Sequence, residues 1–277
     1  YGILYKPPMS QPVKTSDVPI AGRGYSALPF VFDLVTQAND VAVRDSTAGK
    51  NIRESLPEDE DGQSTLAFLR KVKARLRQIT THSPGALGIH PLVYFYTRSG
   101  TFQPAAFHAV LNVIEKLQKD GNLNRFIDVR QRFESFLIAR KEVYSMLVTK
   151  LGSGARSRPA IERFFDFVLT AMWDGKSDDE ILSELGADSD FMFLASEQPQ
   201  RSGAISQKGF STSTKSAAFI TELEKSGVRC GICKGLIHAN SVQTDHIVPK
   251  KDGGTNHSGN AQVSHPYCNS TYKQSGN

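Results

Sequence analysis

The chain has 277 residues, of which 39% are hydrophobic and 22% charged, so its composition excludes a largely disordered chain and a membrane protein. No apolar run approaches the length that a bilayer span needs. The N-terminal segment, from Tyr1 to Ile20, contains prolines and polar residues where a secretory signal needs an apolar core. We therefore expect a cytoplasmic protein with no membrane partner. The chain begins with Tyr1 rather than Met, and we expect it to be part of a longer protein.

The net charge of +5 is concentrated near the C-terminus. Residues 201–277 contain nine Lys or Arg and four Asp or Glu, so this segment carries the whole excess and residues 1–200 are neutral. A basic module of this kind suits a polyanionic partner such as nucleic acid. Charge alone does not distinguish that partner from an ordinary solvated surface.

The spacing of apolar residues predicts a mainly α-helical region between about residues 27 and 185. Four segments have apolar residues at helical spacing, and Ser177 before three acidic residues predicts the capped start of a fifth helix. The four apolar stripes are Leu66, Leu69, Val72, Leu76 and Ile79; Phe107, Val110, Leu111, Ile114 and Leu117; Phe133, Phe136, Leu137 and Tyr144; and Ile161, Phe164, Phe165, Val168, Leu169 and Met172. We expect all four stripes to form a packed core.

The helical pattern stops near Gly186, where a stretch rich in Ser, Gly, Gln and Asp begins. This composition is typical of a linker. We therefore predict a helical scaffold or regulatory domain over residues 1–187 and a linker over residues 188–213. A small C-terminal domain over residues 214–277 would follow, beginning with a short helix at about residues 214–225.

All three cysteines lie in this C-terminal domain. Cys230 and Cys233 are two residues apart, and His265 and Cys268 form a second pair with the same spacing. An odd number of cysteines in paired spacing favours a metal site over disulfides. We therefore predict a structural Zn²⁺ held by these four residues, in a reducing cytosol. The alternatives are unrelated buried cysteines, or a role for His265 as a ligand of a catalytic metal.

The sequence between the two pairs contains TDHIVPKKDGGTNHSGNAQ, residues 244–262. The pattern consists of Asp245-His246-Ile247, Pro249, Gly253-Gly254, Asn260, Cys268-Asn269 and Lys273. In order and spacing it resembles the HNH, or His-Me finger, endonuclease family over residues 229–273. The resemblance implies a ββα-metal fold that zinc stabilises in many members. The chain departs from the family pattern at His265, where a Cys is commoner, and at Asn269, the third letter of the motif.

The resemblance implies a role for each of these residues in phosphodiester hydrolysis. His246 would be the general base, because imidazole accepts a proton near neutral pH. Asp245 and Asn269 would bind Mg²⁺ or Mn²⁺ through oxygen, and Asn260 would hold the loop that orients His246. Adjacent strand residues face opposite sides, so we expect a bend or bulge to bring Asp245 and His246 together. The candidates for DNA phosphate contacts are Lys250, Lys251 and Lys273. His238 and His257 are predicted to be loop or surface residues.

A weaker resemblance concerns HPLVYFYTRSG, residues 90–100. This phrase, followed by helices and an HNH finger, resembles bacterial anti-phage restriction proteins in which a ParB-like nucleotide-using domain comes first. The chain has no P-loop, so we expect any nucleotide-binding domain to lie upstream and outside it. The leading hypothesis is a metal-dependent endonuclease acting on modified or phage DNA. The alternatives are a non-catalytic zinc-finger module that binds DNA or an adaptor, and a homing or repair nuclease whose helical part reads sequence. The neutral charge of residues 1–200 disfavours that last alternative.

Overall fold

The computed structural model describes residues 27–41, 43–45, 51–53, 58–152, 156–194 and 209–275. Before residue 190 these residues form eight helices and one short antiparallel hairpin. The helices are α1 (Ala27–Ala38), α2 (Gln63–Ile79), α3 (Pro91–Tyr94), α4 (Pro104–Lys119), α5 (Leu123–Ala139), α6 (Val143–Leu151), α7 (Arg158–Trp173) and α8 (Asp178–Ala187). The hairpin pairs β1 (Val43–Asp45) with β2 (Asn51–Arg53). The segment from Tyr1 to Ile20, whose composition argues against a secretory signal, lies outside the described residues.

The centre of the helical region is the contact of α4, α5 and α7. Their apolar stripes face one another, and Phe107, Phe133 and Phe165 are almost fully buried. Prolines occupy the first turn of α4 and α7, where the missing N–H costs no hydrogen bond. Ser177 caps α8 in a reciprocal capping box with Glu180, as its sequence predicts. All residues of the second and fourth predicted stripes, on α4 and α7, are buried, so both stripes are confirmed as core.

The predicted stripe on α2 is wrong in its N-terminal half. Leu66 and Leu69 are 45% and 37% exposed, whereas Val72 and Ile79 are buried. The reason is that only the C-terminal half of the stripe reaches the core, so the first turns of α2 lie against solvent. Periodicity identifies which face of a helix is apolar but not how much of its length is covered.

The third predicted stripe belongs to two helices rather than one. Helix α5 ends at Ala139 and Tyr144 lies in α6. Between them the side chain of Lys141 turns inward, where it is buried and donates hydrogen bonds to the carbonyl groups of Leu92, Val93 and Tyr96. An ammonium has three donors to satisfy, and the break in the helix allows Lys141 to place all three.

The C-terminal module follows α9 (Thr212–Ser226), which confirms the predicted short helix. Strands β3 (Gln243–His246) and β4 (Ala261–Ser264) pair antiparallel, with Asp245 opposite Gln262. A helical segment follows β4 and includes a π-helical turn at Cys268–Tyr272. The fold is therefore a mainly α region with a small ββα module at the C-terminus, as predicted. Among the described residues, no helix is long and apolar enough to cross a membrane.

The module packs directly on the helical region. Leu236, Ile237 and Tyr267 belong to the same buried cluster as the residues of α4, α5 and α7. In the described part of the predicted linker, Phe191 is buried and packs on Phe164 of α7. The domain boundaries themselves remain a prediction.

Candidate functional site

The first candidate site is a buried cluster of three thiols and one imidazole. Cys230 and Cys233 lie on a tight turn that closes through hydrogen bonds between the backbones of Cys230, Lys234 and Gly235. His265 and Cys268 follow β4. The ligand atoms of these four residues lie within 4.8 Å of one another, and all four residues are buried. This cluster can hold a metal ion in the tetrahedral arrangement that zinc prefers.

The tautomer of His265 follows from its neighbours. Its Nε2 lies 3.1 Å from the carbonyl oxygen of Leu236, which can only accept, so Nε2 carries the proton. The lone pair is then on Nδ1, which lies 3.3 Å from the sulfur of Cys233. Burial, followed by the positive charge of Arg130, lowers the pKa of His265. The imidazole is therefore neutral and aimed at the thiols, as a metal ligand requires.

A buried ion pair on α5 lies against this cluster, and the sequence analysis did not predict it. Arg130 and Glu134 have no exposed side-chain surface, and Arg130 Nε lies 2.8 Å from Glu134 Oε1. Arg130 Nη1 also lies 3.2 Å from His265 Nδ1, and Glu134 Oε2 accepts a hydrogen bond from the backbone N–H of Leu236 at 2.7 Å. The pair therefore joins the helical region to the thiol turn. Its only sequence signal is an i, i+4 spacing, which is common on exposed helices.

Two other details show how closely the two regions fit. A Cβ atom on Gly88, which has a φ of +66°, would lie 2.4 Å from Cδ2 of His265. Only glycine fits this approach without displacement. His238, predicted to be a loop or surface residue, is 1% exposed and packs edge-on against His90. His238 does lie in a loop, as predicted, but it is buried rather than at the surface because the helical region covers that loop.

The second candidate site lies at the edge of the module around Asp245. This residue is only 6% exposed. Lys273 Nζ lies 3.0 and 2.9 Å from its two carboxylate oxygens, and Gln262 Nε2 donates to Oδ2 at 2.9 Å. Lys273 also donates to the carbonyl of His246. The carboxylate therefore faces a cation in this structure, and Lys273, a predicted phosphate contact, is held in that position.

His246 lies on the other side of the strand. Its Nε2 is 3.1 Å from Oδ1 of Asn256, and because an amide oxygen only accepts, Nε2 donates and the lone pair is on Nδ1. The four residue pairs of β3 and β4 keep a regular register through His246. The expected bulge between Asp245 and His246 is therefore absent from β3. Asn256, which sequence reasoning missed, takes part in orienting the imidazole.

Asn260 holds the loop between the two strands. Its Oδ1 accepts from Val248 N at 2.8 Å, and its Nδ2 donates to the carbonyls of Val248 and Thr255 at 3.0 and 2.9 Å. The loop is tight at Gly254, where a Cβ atom would lie 1.8 Å from the carbonyl oxygen of Val248. The loop that contains Asn256 is thus fixed to the end of the strand that carries His246.

The remaining predicted residues border this edge. Asn269 donates through Nδ2 to Oε1 of Gln243 at 3.1 Å. Its amide oxygen is therefore the atom of this side chain that is available to bind a metal. Lys250 and Lys251 are exposed on the loop after β3. The structure brings the four thiol-cluster residues into contact. Asp245 contacts Lys273, and His246 contacts Asn256 in the loop between β3 and β4.

Comparison with known protein families gives one match. The HNH endonuclease model matches residues 230–275, which contain both candidate sites. No curated protein and no solved structure matches the chain. The C-terminal module is therefore an HNH endonuclease domain with a cluster of metal-ligating residues. Such a domain implies a nuclease-type, metal-binding function directed at DNA.

Proposed function

We propose that the protein is a metal-dependent endonuclease that hydrolyses phosphodiester bonds in DNA. The observation that carries the proposal is the separation of two sites in the HNH domain. One is a buried thiol and imidazole cluster suited to a structural Zn²⁺. The other is the accessible end of β3, where half-exposed His246, with its Nδ1 lone pair available, directly follows a carboxylate that faces the opposite side of the strand. A module that only binds DNA has no need of the second site.

His246 is the general base in this proposal. Its Nε2 proton is engaged by Asn256, so Nδ1 can remove a proton from the attacking water. Asn260 fixes the loop that carries Asn256 and thereby positions the imidazole. The roles of Asn256 and Asn260 are to orient the base, and neither needs to touch the substrate.

Asp245 and Asn269 would hold a catalytic Mg²⁺ or Mn²⁺ through oxygen, the ligand type that these ions prefer. The carboxylate fits a cation, because the ammonium of Lys273 already lies against it. A divalent ion there would supply charge neutralisation at the scissile phosphate. Lys273 would then be released from Asp245 and could contact a phosphate, as could Lys250 and Lys251.

We further propose that this endonuclease serves in bacterial defence and acts on modified or phage DNA. The support is the resemblance of residues 90–100 alone. In the structure Tyr94, Phe95 and Tyr96 of that segment are buried in the core, so the segment packs the helical region and offers no surface to DNA. We also keep the division into a helical domain over residues 1–187, a linker over 188–213 and a nuclease domain over 214–277 as a proposal.

Plasmid digestion tests both levels of the proposal. The full chain is incubated with supercoiled plasmid in Mg²⁺, Mn²⁺ or EDTA, using unmodified plasmid and plasmid with modified cytosine. We expect nicked or linear product with either ion and none in EDTA, with a preference for one of the two plasmids. Equal cleavage of both plasmids would remove the defence role, and the absence of any metal-dependent product would remove the endonuclease.

A further inference from the structure

Helix α2 differs in charge from the other described helices. It contains five basic residues and no acidic residue: Arg70, Lys71, Lys73, Arg75 and Arg77. Arg75 pairs with Glu115 and Asp40. Within the part of the chain that the structure describes, the other four cations have no ion pair. Four uncompensated positive charges on one helix are unusual in a region whose net charge is zero.

Elsewhere in the helical region, cations face acidic partners. Lys116 pairs with Asp166 on α7, and Arg132 pairs with Asp178 at the start of α8. Arg163 contacts Asp188, and Lys176 contacts Glu184. These cations lie against acidic partners on neighbouring elements, whereas four of the five cations of α2 do not within the described part of the chain.

Three of the free cations of α2 form one stripe, which we call the basic stripe. Arg70, Lys73 and Arg77 are spaced i, i+3 and i+7, so they lie on one face of the helix and span about 10 Å of its length. Arg70, Lys73 and Arg77 are all exposed, whereas Val72 and Ile79 face the core. The basic stripe is therefore directed away from the protein.

Apart from the two partners of Arg75, the acidic residues that contact α2 lie at its N-terminal end. Asp59 accepts hydrogen bonds from the backbone of Ser64 and Thr65, and Asp61 from that of Gln63. These carboxylates cap the N-terminus of α2, where negative charge is favourable. The positive charge increases along the helix towards its C-terminus.

That C-terminus meets the nuclease module. Immediately after α2, the carbonyl of Thr81 accepts from Ser241 Oγ at 2.9 Å, and the carbonyl of His82 accepts from Gln243 Nε2 at 3.1 Å. The other end of the Gln243 amide accepts from Asn269 at 3.1 Å. A single side chain therefore separates the segment that ends α2 from a proposed ligand of the catalytic metal.

We propose that the basic stripe of α2 binds the phosphate backbone of double-stranded DNA beside the cleavage position. This inference rests on the proposed endonuclease function and adds a docking surface outside the HNH domain. Exposed and unpaired cations at this spacing suit phosphates, whose negative charge they complement. Such contacts position the duplex and carry no sequence information. The helical region thus holds the DNA flank, and the HNH domain cuts it.

DNA affinity as a function of salt tests the proposal. Binding of the whole chain carrying His246→Ala to a labelled duplex of about 25 base pairs is measured by anisotropy between about 50 and about 300 mM NaCl. The test variant adds Arg70→Gln, Lys73→Gln and Arg77→Gln. The matched control adds Lys119→Gln, Lys150→Gln and Lys176→Gln, which removes the same charge from positions outside α2.

We expect the test variant to bind at least tenfold more weakly near 150 mM NaCl. The slope of log K against log salt should become shallower by about 2 to 3, because each lost phosphate contact reduces its magnitude by about 0.9. The control should stay within about twofold of the parent, since general charge acts weakly through screening. Equal affinity and slope for the test variant and the parent would overturn the docking surface while leaving the endonuclease standing. A parent that binds no duplex in any salt would overturn both.

Discussion

The two sites of the HNH domain differ in how the rest of the protein supports them. The thiol cluster is buried, and Arg130 and Glu134 of α5 contact its His265 and the backbone of Leu236 beside it. The edge around His246 is accessible and is held mainly by the module's own loop, through Asn256 and Asn260. The protein therefore fixes one site through the core of its larger region and leaves the other open to a large substrate. Stability and cleavage should respond to different substitutions.

Loss of a thiol should have the largest effect. Cys230→Ser removes a ligand from a buried cluster, so we expect bound zinc to fall from about one ion per chain to none and the HNH domain to unfold. Elemental analysis and limited proteolysis measure the two effects, and His257→Ala, a change on the exposed loop, should keep its zinc. Freshly purified parent protein without zinc would contradict this assignment.

The buried pair tests whether the helical region supports the cluster. Glu134→Gln leaves the charge of Arg130 buried without its partner, so we expect a loss of about 3 kcal/mol in the free energy of unfolding. The exposed pair between Glu142 and Arg98 provides the control, and Glu142→Gln should cost about 0 to 1 kcal/mol. Urea denaturation measures both. Equal costs for the two variants would show that α5 does not couple the two regions.

The smallest effect is expected at the open site. Lys273→Met removes the ammonium that lies against Asp245, so a divalent ion no longer has to displace it. We expect about fivefold tighter Mn²⁺ binding, corresponding to about 1 kcal/mol for a partly exposed ion pair. Calorimetry without DNA measures it, with Lys225→Met on α9 as a control of equal charge. Weaker binding in Lys273→Met would show that the lysine helps to form the metal site.

Local patterns in the sequence predicted the ligand cluster and most helices. The spacing of Cys230 and Cys233 indicates a tight turn, and the spacing of His265 and Cys268 indicates the start of a short helical segment. Both features depend on neighbouring residues. The capping signal at Ser177 is equally local. Each pair and the cap could be predicted because its own residues are close together in the chain, and the matching spacing of the two pairs linked them across 32 positions.

Features that depend on distant partners could not be predicted. Arg130 and His265 are 135 positions apart, and no spacing rule connects them. The exposure of Leu66 and Leu69 depends on how far α2 extends beyond its neighbours. The basic stripe was concealed because the charges of residues 1–200 sum to zero, and only the ion pairs of the structure show which cations remain free.

The central claim is that His246 is the base of a DNA-cleaving site, and His246→Ala tests it most directly. Cleavage of plasmid by this variant is compared with the parent and with His257→Ala, the other histidine near this loop, at equal zinc content. We expect His246→Ala to cut about 10² to 10⁴ times more slowly while its zinc and DNA affinity stay unchanged. His257→Ala should cut at the parental rate. Parental cleavage by His246→Ala in matched metal would place the chemistry elsewhere and contradict the account.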